Sequence, residues 1–267
     1  MRNVLIIGGA GFVGSHLCER LSKNCNVVSL DDYSTGSEKN HIFGVKYINA
    51  SSETIDFIPK PDIVYHLGEY SRVLTSFDDI ESVVRSEIGT LKVLEYCRRN
   101  KVKLVYAGSS TKFGDKESPY SFFKAHNTEL VKKYGEWFGL EYAITYFYNV
   151  YGGREIKEGK YATVIGVFET NRKNGVPHTI NGDGSQKRAF THIDDIIDGL
   201  LLVESGEYCI GSDEEYSIYE VAQMFGGEII LSEEKKGDRT RSSIDVTRIK
   251  KLGWEAKHSL KEYVNSL

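Results

Sequence analysis

Residues 3–32 read NVLIIGGAGFVGSHLCERLSKNCNVVSLDD, and this stretch decides the fold. The apolar run from Asn3 to Ile7 predicts a buried strand, and a helical pattern begins after the glycines that follow it. A second strand, Val27 to Leu30, ends at two acids. Glycines let the backbone approach a pyrophosphate, and a helix N-terminus favours its negative charge. The order strand, glycine-rich turn, helix, strand and acid therefore predicts a dinucleotide-binding unit.

Asp31, at the end of the second strand, indicates which dinucleotide binds. Its carboxylate can accept hydrogen bonds from a ribose 2′-hydroxyl but would repel a 2′-phosphate. No lysine or arginine occurs in residues 32–36 to offset that repulsion. The sequence therefore favours NAD over NADP, and the alternative is that Asp31 only caps a loop.

A second stretch, residues 104–124, reads LVYAGSSTKFGDKESPYSFFK and carries the chemistry. A tyrosine hydroxyl has a pKa of about 10, so acting as a base near neutral pH requires about 4 kcal/mol of phenolate stabilisation. Lys124, one helical turn after Tyr120, could supply part of this together with a second positive charge. Ser109 could hydrogen-bond the same substrate oxygen and relay its proton. An isolated pair would be read as a surface tyrosine and a solvated lysine, but the serines and the phosphate loop favour catalysis.

The remaining elements extend the same pattern. Strands are predicted at Val45–Ile48, Asp62–His66 and Glu141–Phe147, with helices at about 79–99 and 119–138. We assign the apolar side of the first helix to Ile80, Val83, Val84, Ile88, Leu91 and Leu94. Strands that alternate with helices predict a parallel sheet covered on both faces. The predicted fold class is α/β, a Rossmann-type doubly wound parallel sheet with a smaller C-terminal α/β substrate lobe.

The composition limits the classes of binding partner and the cellular location to expect. The net charge of -4 does not indicate nucleic acid or a membrane surface as a partner. The apolar run near the N-terminus is too short for a signal peptide, and no longer one follows, so we expect a cytoplasmic protein. The four cysteines have no paired spacing, which favours free thiols, and no cluster has metal-ligand spacing.

Several later motifs join the two stretches in one resemblance. They are YNVYG at 148–152, NGDGSQKRAF at 181–190, HIDD at 192–195, KKGD at 235–238 and LGW at 252–254. With Gly8, Gly11 and Gly14, Asp31, and the Ser109–Tyr120–Lys124 set, the chain resembles the extended short-chain dehydrogenase/reductase family. Within it, the chain is most similar to the nucleotide-sugar epimerase/dehydratase branch, and the UDP-glucose 4-epimerases in particular.

The resemblance implies a division of the chain and a cofactor site. Residues 1–150 would form the NAD-binding domain, which would also receive parts of about 180–205. Residues 151–267 would form a smaller, interleaved nucleotide-sugar-binding lobe. The implied NAD contacts are Gly8, Gly11, Phe12, Val13, Gly14, Asp31, Asp32, Ser34, Thr35, Gly36, Leu67, Gly68, Glu69, Tyr120 and Lys124.

The resemblance also implies a reaction. Tyr120 would take the proton from a sugar hydroxyl while hydride leaves that carbon for NAD. Lys124 would hold the nicotinamide ribose and stabilise the phenolate. In an epimerase the 4-keto sugar turns over and hydride returns to its opposite face. The implied substrate contacts are Ser109, Ser110, Asn149, Arg188, Lys235, Arg241 and Ser242.

Positions at which this sequence differs from the branch limit the expected reaction and substrate. Ser110 and Thr111 stand where the branch's sugar 4,6-dehydratases carry an acid pair, and hydroxyls are poor substitutes in eliminating water. Ser242 stands where some epimerases have a bulky tyrosine, so N-acetylated sugars are expected to fit. Gly68-Glu69 replaces the common Ala-Ala beside the cofactor, and the sequence suggests no role for Glu69.

The sequence therefore favours an NAD-dependent UDP-hexose 4-epimerase. The alternatives are an epimerase or reductase acting on a UDP-uronate, a GDP-sugar or a dTDP-sugar, and a non-catalytic NAD-binding regulator. Family analogy adds a homodimer, with the helices at about 79–99 and 119–138 pairing with their copies.

Overall fold

The computed structural model describes residues 1–113, 118–233 and 245–267. The strands are β1 (Arg2–Ile7), β2 (Cys25–Asp31), β3 (Lys46–Asn49), β4 (Ile63–His66), β5 (Lys103–Ala107), β6 (Tyr142–Phe147), β7 (Val150–Tyr151), β8 (His178–Asn181), β9 (Lys187–Ala189), β10 (Thr191–His192), β11 (Gly206–Ile210), β12 (Glu215–Ser217) and β13 (Ile229–Ser232). The helices are α1 (Phe12–Leu21), α2 (Ile80–Asn100), α3 (Pro119–Phe138), α4 (Val164–Asn174), α5 (Ile193–Leu202), α6 (Ile218–Phe225), α7 (Thr247–Lys250) and α8 (Leu260–Ser266).

The central sheet has seven strands in the order β11-β6-β5-β4-β1-β2-β3, and every neighbouring pair is parallel. The chain starts in the middle of the sheet, winds outward through β2 and β3, and then crosses to β4 on the other side. This reversal is the switch point of a doubly wound sheet, beside which dinucleotides bind at the carboxyl ends of the strands. The predicted fold class is confirmed.

Strand β1 shows why the sheet is buried on both faces. Side chains alternate along a strand, so its consecutive apolar residues supply two cores. Leu5 and Ile7 pack into the core beneath α2 and α3. Val4 and Ile6 pack into the core beneath α1 and α5. Four consecutive buried residues therefore hold the strand that carries the glycine loop at its end.

A third apolar core lies in the C-terminal half. It is built from α4, α6, α8 and strand β8, with Phe168, Ile180, Phe225 and Val264 buried in it. Around it run three two-stranded ladders, β7 with β10, β9 with β12, and β8 with β13. The chain also returns to the large sheet, where α5 covers one face and β11 forms the edge strand beside β6.

Helix α2 corrects one part of the sequence analysis. Val83 and Leu94 face the core as expected. Ile80, Val84, Ile88 and Leu91 do not, because they are 38–49% exposed on a neighbouring face of the helix. The small or polar residues Gly89 and Thr90 are buried in their place. The apolar pattern therefore assigned two adjacent stripes of the helix to one buried face, although only one of them packs on the sheet and the other faces outward.

Within the described ranges, no helix combines the length and apolar character needed to cross a bilayer.

Candidate active site

The glycine loop after β1 is closed by backbone contacts that leave no room for side chains. Gly8 has a φ of +84°, a region that favours glycine. A Cβ on Gly14 would lie 2.0 Å from the carbonyl oxygen of Gly8, and one on Gly8 would lie 2.7 Å from the Cα of Gly68. The loop therefore has the bare, close-packed backbone that a pyrophosphate site requires.

Helix α1 begins directly behind this loop. Its N-cap, Gly11, provides no side-chain hydrogen bond, and its first turn, which includes Phe12 and Val13, has no acid. The first N–H groups of a helix have no partner within the helix, and they carry the positive end of its dipole. An uncapped N-terminus beside a glycine loop fits a diphosphate such as that of NAD.

Asp31 organises the next loop as well as offering a ribose contact. One carboxylate oxygen accepts the N–H of Ala10 at 2.8 Å, and the other accepts the N–H of Tyr33 at 2.9 Å. The loop-capping alternative is therefore observed. Each oxygen keeps a second lone pair, so this bonding does not prevent a contact to ribose hydroxyls.

The rest of the predicted adenosine loop lies beside Asp31. Asp32 accepts the N–H of Ser34 at 2.9 Å, which shapes the turn through Thr35. A Cβ on Gly36 would lie 2.7 Å from the Asp31 carboxylate, so a side chain there would displace it. The structure thus brings the residues predicted for the ribose together at the carboxyl end of β2.

Ser109 and Tyr120 meet at the carboxyl end of β5. The Tyr120 hydroxyl donates to Ser109 Oγ at 3.0 Å. Thr111 also donates to Ser109 Oγ, at 2.9 Å from its hydroxyl and 3.2 Å from its N–H. Ser118 caps α3 and Pro119 begins it, which fixes Tyr120 in the first turn. A substrate hydroxyl placed here could meet both oxygens of the Ser109–Tyr120 pair.

Lys124 lies one turn further along α3, but its described hydrogen bonds do not go to Tyr120. Its ammonium donates to the Glu69 carboxylate, forming an ion pair whose side chains are 9% and 4% exposed. It also donates to the Ala107 carbonyl at 2.5 Å and lies 3.4 Å from the Tyr106 hydroxyl. The sequence predicted a second positive charge to assist Lys124, whereas the structure pairs the lysine with a buried anion, Glu69, which the resemblance had implied only as an NAD contact.

Leu67 and Gly68 connect the two halves of the site. The Leu67 N–H donates to the Ile7 carbonyl at 2.9 Å, and Gly68 lies against Gly8. This contact holds the segment that carries Glu69 against the glycine loop.

The predicted substrate residues are more dispersed. Asn149 has a φ of +33° and donates to the Ala189 carbonyl at 2.8 Å, so it ties β7 to the end of β9. Arg188 lies in β9 opposite Tyr216 of β12 and donates to the Lys187 carbonyl. Ser110 begins a short 3₁₀ turn next to Ser109. Lys235, Arg241 and Ser242 lie outside the described residues.

Arg72 is a residue near the site that the sequence analysis missed. Its guanidinium makes two hydrogen bonds to the Tyr161 carbonyl and one to that of Ser71. Burial lowers its pKa, and electrostatic interactions with Tyr120 and Glu155 oppose this. The described bonds of Arg72 all go to carbonyls, so within the described ranges this cation, which interacts electrostatically with Tyr120, has no carboxylate hydrogen-bonded to it.

His192, Asp194 and His258 bring potential metal ligands within 4.8 Å of one another. Two of their ring nitrogens already have partners. His192 Nδ1 accepts the N–H of Asp194, and His258 Nδ1 lies 2.8 Å from the Asp195 carboxylate. The group is explained by these local contacts.

Comparison with known proteins agrees with this geometry. The model of the "NAD dependent epimerase/dehydratase family" matches residues 4–218. A UDP-N-acetyl-alpha-D-glucosaminuronate decarboxylase of Bacillus cytotoxicus is 31% identical over 255 residues, covering 83% of this chain and 78% of the relative.

Two solved structures are similar over nearly their whole length. UDP-glucose 4-epimerase of Thermotoga maritima, solved with UDP-glucose, has a TM-score of 0.93 at 26% identity, covering 98% of this chain and 96% of that one. UDP-glucuronic acid 4-epimerase of Bacillus cereus, in complex with UDP-glucuronic acid and NAD, has a TM-score of 0.90 at 25% identity with the same coverages. This chain belongs to the NAD-dependent epimerase/dehydratase family, whose cofactor is NAD.

Proposed function

We propose that this protein is an NAD-dependent epimerase that inverts C4 of a UDP-hexose, UDP-glucose/galactose or the N-acetyl forms, through a transient 4-keto sugar. The observation that carries the proposal is the Tyr120–Ser109 hydrogen bond beside buried Lys124. It supplies an acid–base pair at the end of the sheet where the glycine loop lies. The relatives' UDP-sugars support the substrate class.

The residues divide the work as follows. Tyr120 removes the proton of the C4 hydroxyl, and Ser109 hydrogen-bonds the same oxygen and relays the proton. NAD, which the glycine loop and Asp31 would hold, would supply a reversible hydride acceptor for C4 when bound. Tyr120 then gives the proton back, so no net oxidation occurs.

A 4,6-dehydratase is less well supported by the residues at 110 and 111. Thr111 is buried, and its hydroxyl already donates to Ser109. It has no carboxylate with which to protonate a departing hydroxyl or to take a C5 proton. Tyr120 and Ser109 therefore suit hydride transfer at a sugar alcohol, whereas positions 110 and 111 offer no acid pair for eliminating water.

The epimerase proposal is tested by measuring whether the amount of product exceeds the amount of NAD supplied. The full-length protein is incubated with UDP-glucose, UDP-galactose and their N-acetyl forms in about tenfold excess over NAD. An epimerase converts the sugar to an equilibrium mixture of C4 epimers. A reductase consumes a stoichiometric amount of reduced cofactor, and a non-catalytic regulator gives no product. Conversion that stops at the amount of cofactor added would contradict the proposal.

Arg72 favours a second candidate, a UDP-uronate as substrate. A guanidinium has five N–H groups, and the three described bonds leave two for a ligand. A sugar carboxylate accepts two parallel hydrogen bonds from such a group. The uronate names of two relatives agree with this chemistry.

Comparing kcat/KM for UDP-glucuronate with kcat/KM for UDP-glucose distinguishes the two candidate substrates. If Arg72 binds a carboxylate, Arg72→Gln reduces kcat/KM for the uronate at least about tenfold more than for the hexose. Arg85→Gln, which removes an exposed arginine paired with Glu53, is the matched control and changes neither. Equal losses on both sugars would reject the uronate candidate. The product also shows whether the 4-keto uronate, a β-keto acid, is reduced again or loses CO2.

A further inference from the structure

Glu69 is a buried carboxylate with a complete set of partners. It directly follows the residues at the carboxyl end of β4, and its side chain is 4% exposed. One oxygen accepts from Thr90 and, at 3.1 Å, from Asn127 Nδ2. The other accepts from Lys124 and, at 2.8 Å, from the Tyr106 hydroxyl. Donors from α2, α3 and β5 therefore converge on this one anion.

The charge state of this cluster follows from its contacts. Burial raises the pKa of Glu69, but the Lys124 charge and the hydrogen bonds that Glu69 accepts together hold that pKa below its usual value. Burial lowers the pKa of His66 to about 4, so the ring is neutral near pH 7. Burial also raises the pKa of Tyr106, which stays a neutral donor. Among the described residues, the cluster is therefore one anion paired with one cation.

The pairing changes the field that Lys124 exerts. An isolated ammonium would present a full positive charge to Tyr120 and to anything bound beside it. An ammonium in contact with a carboxylate presents a dipole, whose potential falls off faster with distance. In a buried site this difference is large, because the effective dielectric constant is low.

We propose that Glu69 is a positioning residue that neutralises Lys124, so that the site does not disfavour NAD⁺ relative to NADH. The nicotinamide ring is positive in NAD⁺ and neutral in NADH. An unpaired Lys124 charge would therefore repel the oxidised form only, and Glu69 removes that repulsion. The inference rests on the role of Lys124 in the proposed function, namely that it holds the nicotinamide ribose. It does not depend on which sugar is the substrate.

The test measures binding without any sugar, so its failure is distinct from failure of the epimerase proposal. Full-length protein freed of cofactor is titrated calorimetrically with NAD⁺ and with NADH at about pH 6.5. The readout is the ratio of the NADH Kd to the NAD⁺ Kd. Glu69→Gln keeps the shape and leaves one net positive charge, so we expect this ratio to fall at least about fivefold.

Two further variants separate charge from structure. Thr90→Val removes a hydrogen bond to Glu69 and keeps both charges, so the ratio should stay within about twofold of the native value. Lys124→Met leaves the opposite imbalance and should raise the ratio, which keeps the proposal testable if Glu69→Gln does not fold. A ratio that is unchanged in the folded charge variants, or that falls equally in Thr90→Val, would overturn the proposal.

Discussion

At the scale of single residues, Tyr120, the proposed base, lies near an ion pair formed by Lys124 and Glu69. In the proposed reaction, the positive charge of Lys124 favours a Tyr120 phenolate, and the negative charge of its buried partner Glu69 opposes it. The sequence predicted the lysine from its spacing. It could not predict that Glu69, implied only as an NAD contact, pairs with this lysine, because only the fold brings α3 against the segment after β4.

Replacing Glu69 should therefore shift the pH dependence of turnover. Removing a negative charge near Tyr120 favours its ionised form, so the acid limb of kcat/KM should move to lower pH in Glu69→Gln. The limb is measured under saturating NAD, with Thr90→Val as the control that keeps the charge. A limb that stays in place, or moves to higher pH, would contradict this account of the field.

Glu155 gives a separate prediction about stability. Burial raises its pKa to about 7, while Thr163 and the N–H of Gly152 oppose the shift. An acid with a raised folded pKa stabilises the fold at low pH, and this contribution is lost as the pH rises from about 4.5 to about 7. The loss is on the order of 3 kcal/mol.

Urea unfolding at about pH 5 and pH 7.5 checks this prediction. The native protein should lose more free energy of unfolding between the two values than Glu155→Gln, which cannot ionise. Equal pH dependence in the two proteins would show that Glu155 does not retain its proton in the fold.

At the scale of elements, the glycine loop restricts the choice of residue most strongly. A side chain at Gly14 would collide with the carbonyl of Gly8, whereas a Cβ on Gly153 would meet nothing closer than 3.9 Å. We expect Gly14→Ala to weaken NAD binding at least about a hundredfold, since the loop must open. Gly153→Ala is the control and should bind normally. Calorimetric titration decides, and equal affinities would reject the pyrophosphate role of the loop.

The elements before residue 148 were largely predictable, whereas those of the C-terminal half were not predicted individually. The strands and the two long helices lie within a few residues of their predicted bounds, since buried strands and capped helices have strong local patterns. The side of α2 that packs on the sheet was only partly predicted. Its inner face includes Gly89, which allows close packing, and Thr90, which donates a hydrogen bond to Glu69. An apolar periodicity does not detect either residue, because neither is a large apolar side chain.

The candidate site was also predictable only in part. Ser109, Tyr120 and Lys124 come from one stretch of chain, and they lie together. Arg72 and Glu69 enter from a loop whose conformation depends on contacts with distant segments, such as that with Tyr161. Long-range contacts of this kind leave no periodic signal in the sequence.

At the scale of the whole molecule, the outer stripe of α2 indicates association. Ile80, Val84, Ile88 and Leu91 are spaced to share one face of the helix, and all are exposed. We expect this face to pair with its copy in a homodimer, as the family resemblance suggests. Light scattering should give a dimer at micromolar concentration, and Ile88→Glu should give a monomer. A native monomer would reject this arrangement, and Lys92→Glu, a neighbouring charge change, serves as the control.

The size of the sugar pocket is a second prediction at this scale. The small Ser242 is expected to leave room for an N-acetyl group. In Ser242→Tyr, kcat/KM for the N-acetylated UDP-hexose should fall at least about tenfold relative to the plain sugar. Unchanged discrimination would dispose of this prediction.

The most direct test of the central claim follows the hydrogen on C4. UDP-glucose and UDP-N-acetylglucosamine carrying deuterium at C4 are equilibrated with the full-length protein and NAD in ordinary water. If the hydride leaves C4 for the cofactor and returns while Tyr120 moves only the hydroxyl proton, the inverted product retains its deuterium, and Tyr120→Phe slows its formation at least about a hundredfold. Inverted product that has exchanged its C4 deuterium for solvent hydrogen, or a Tyr120→Phe variant with full activity, would contradict the account.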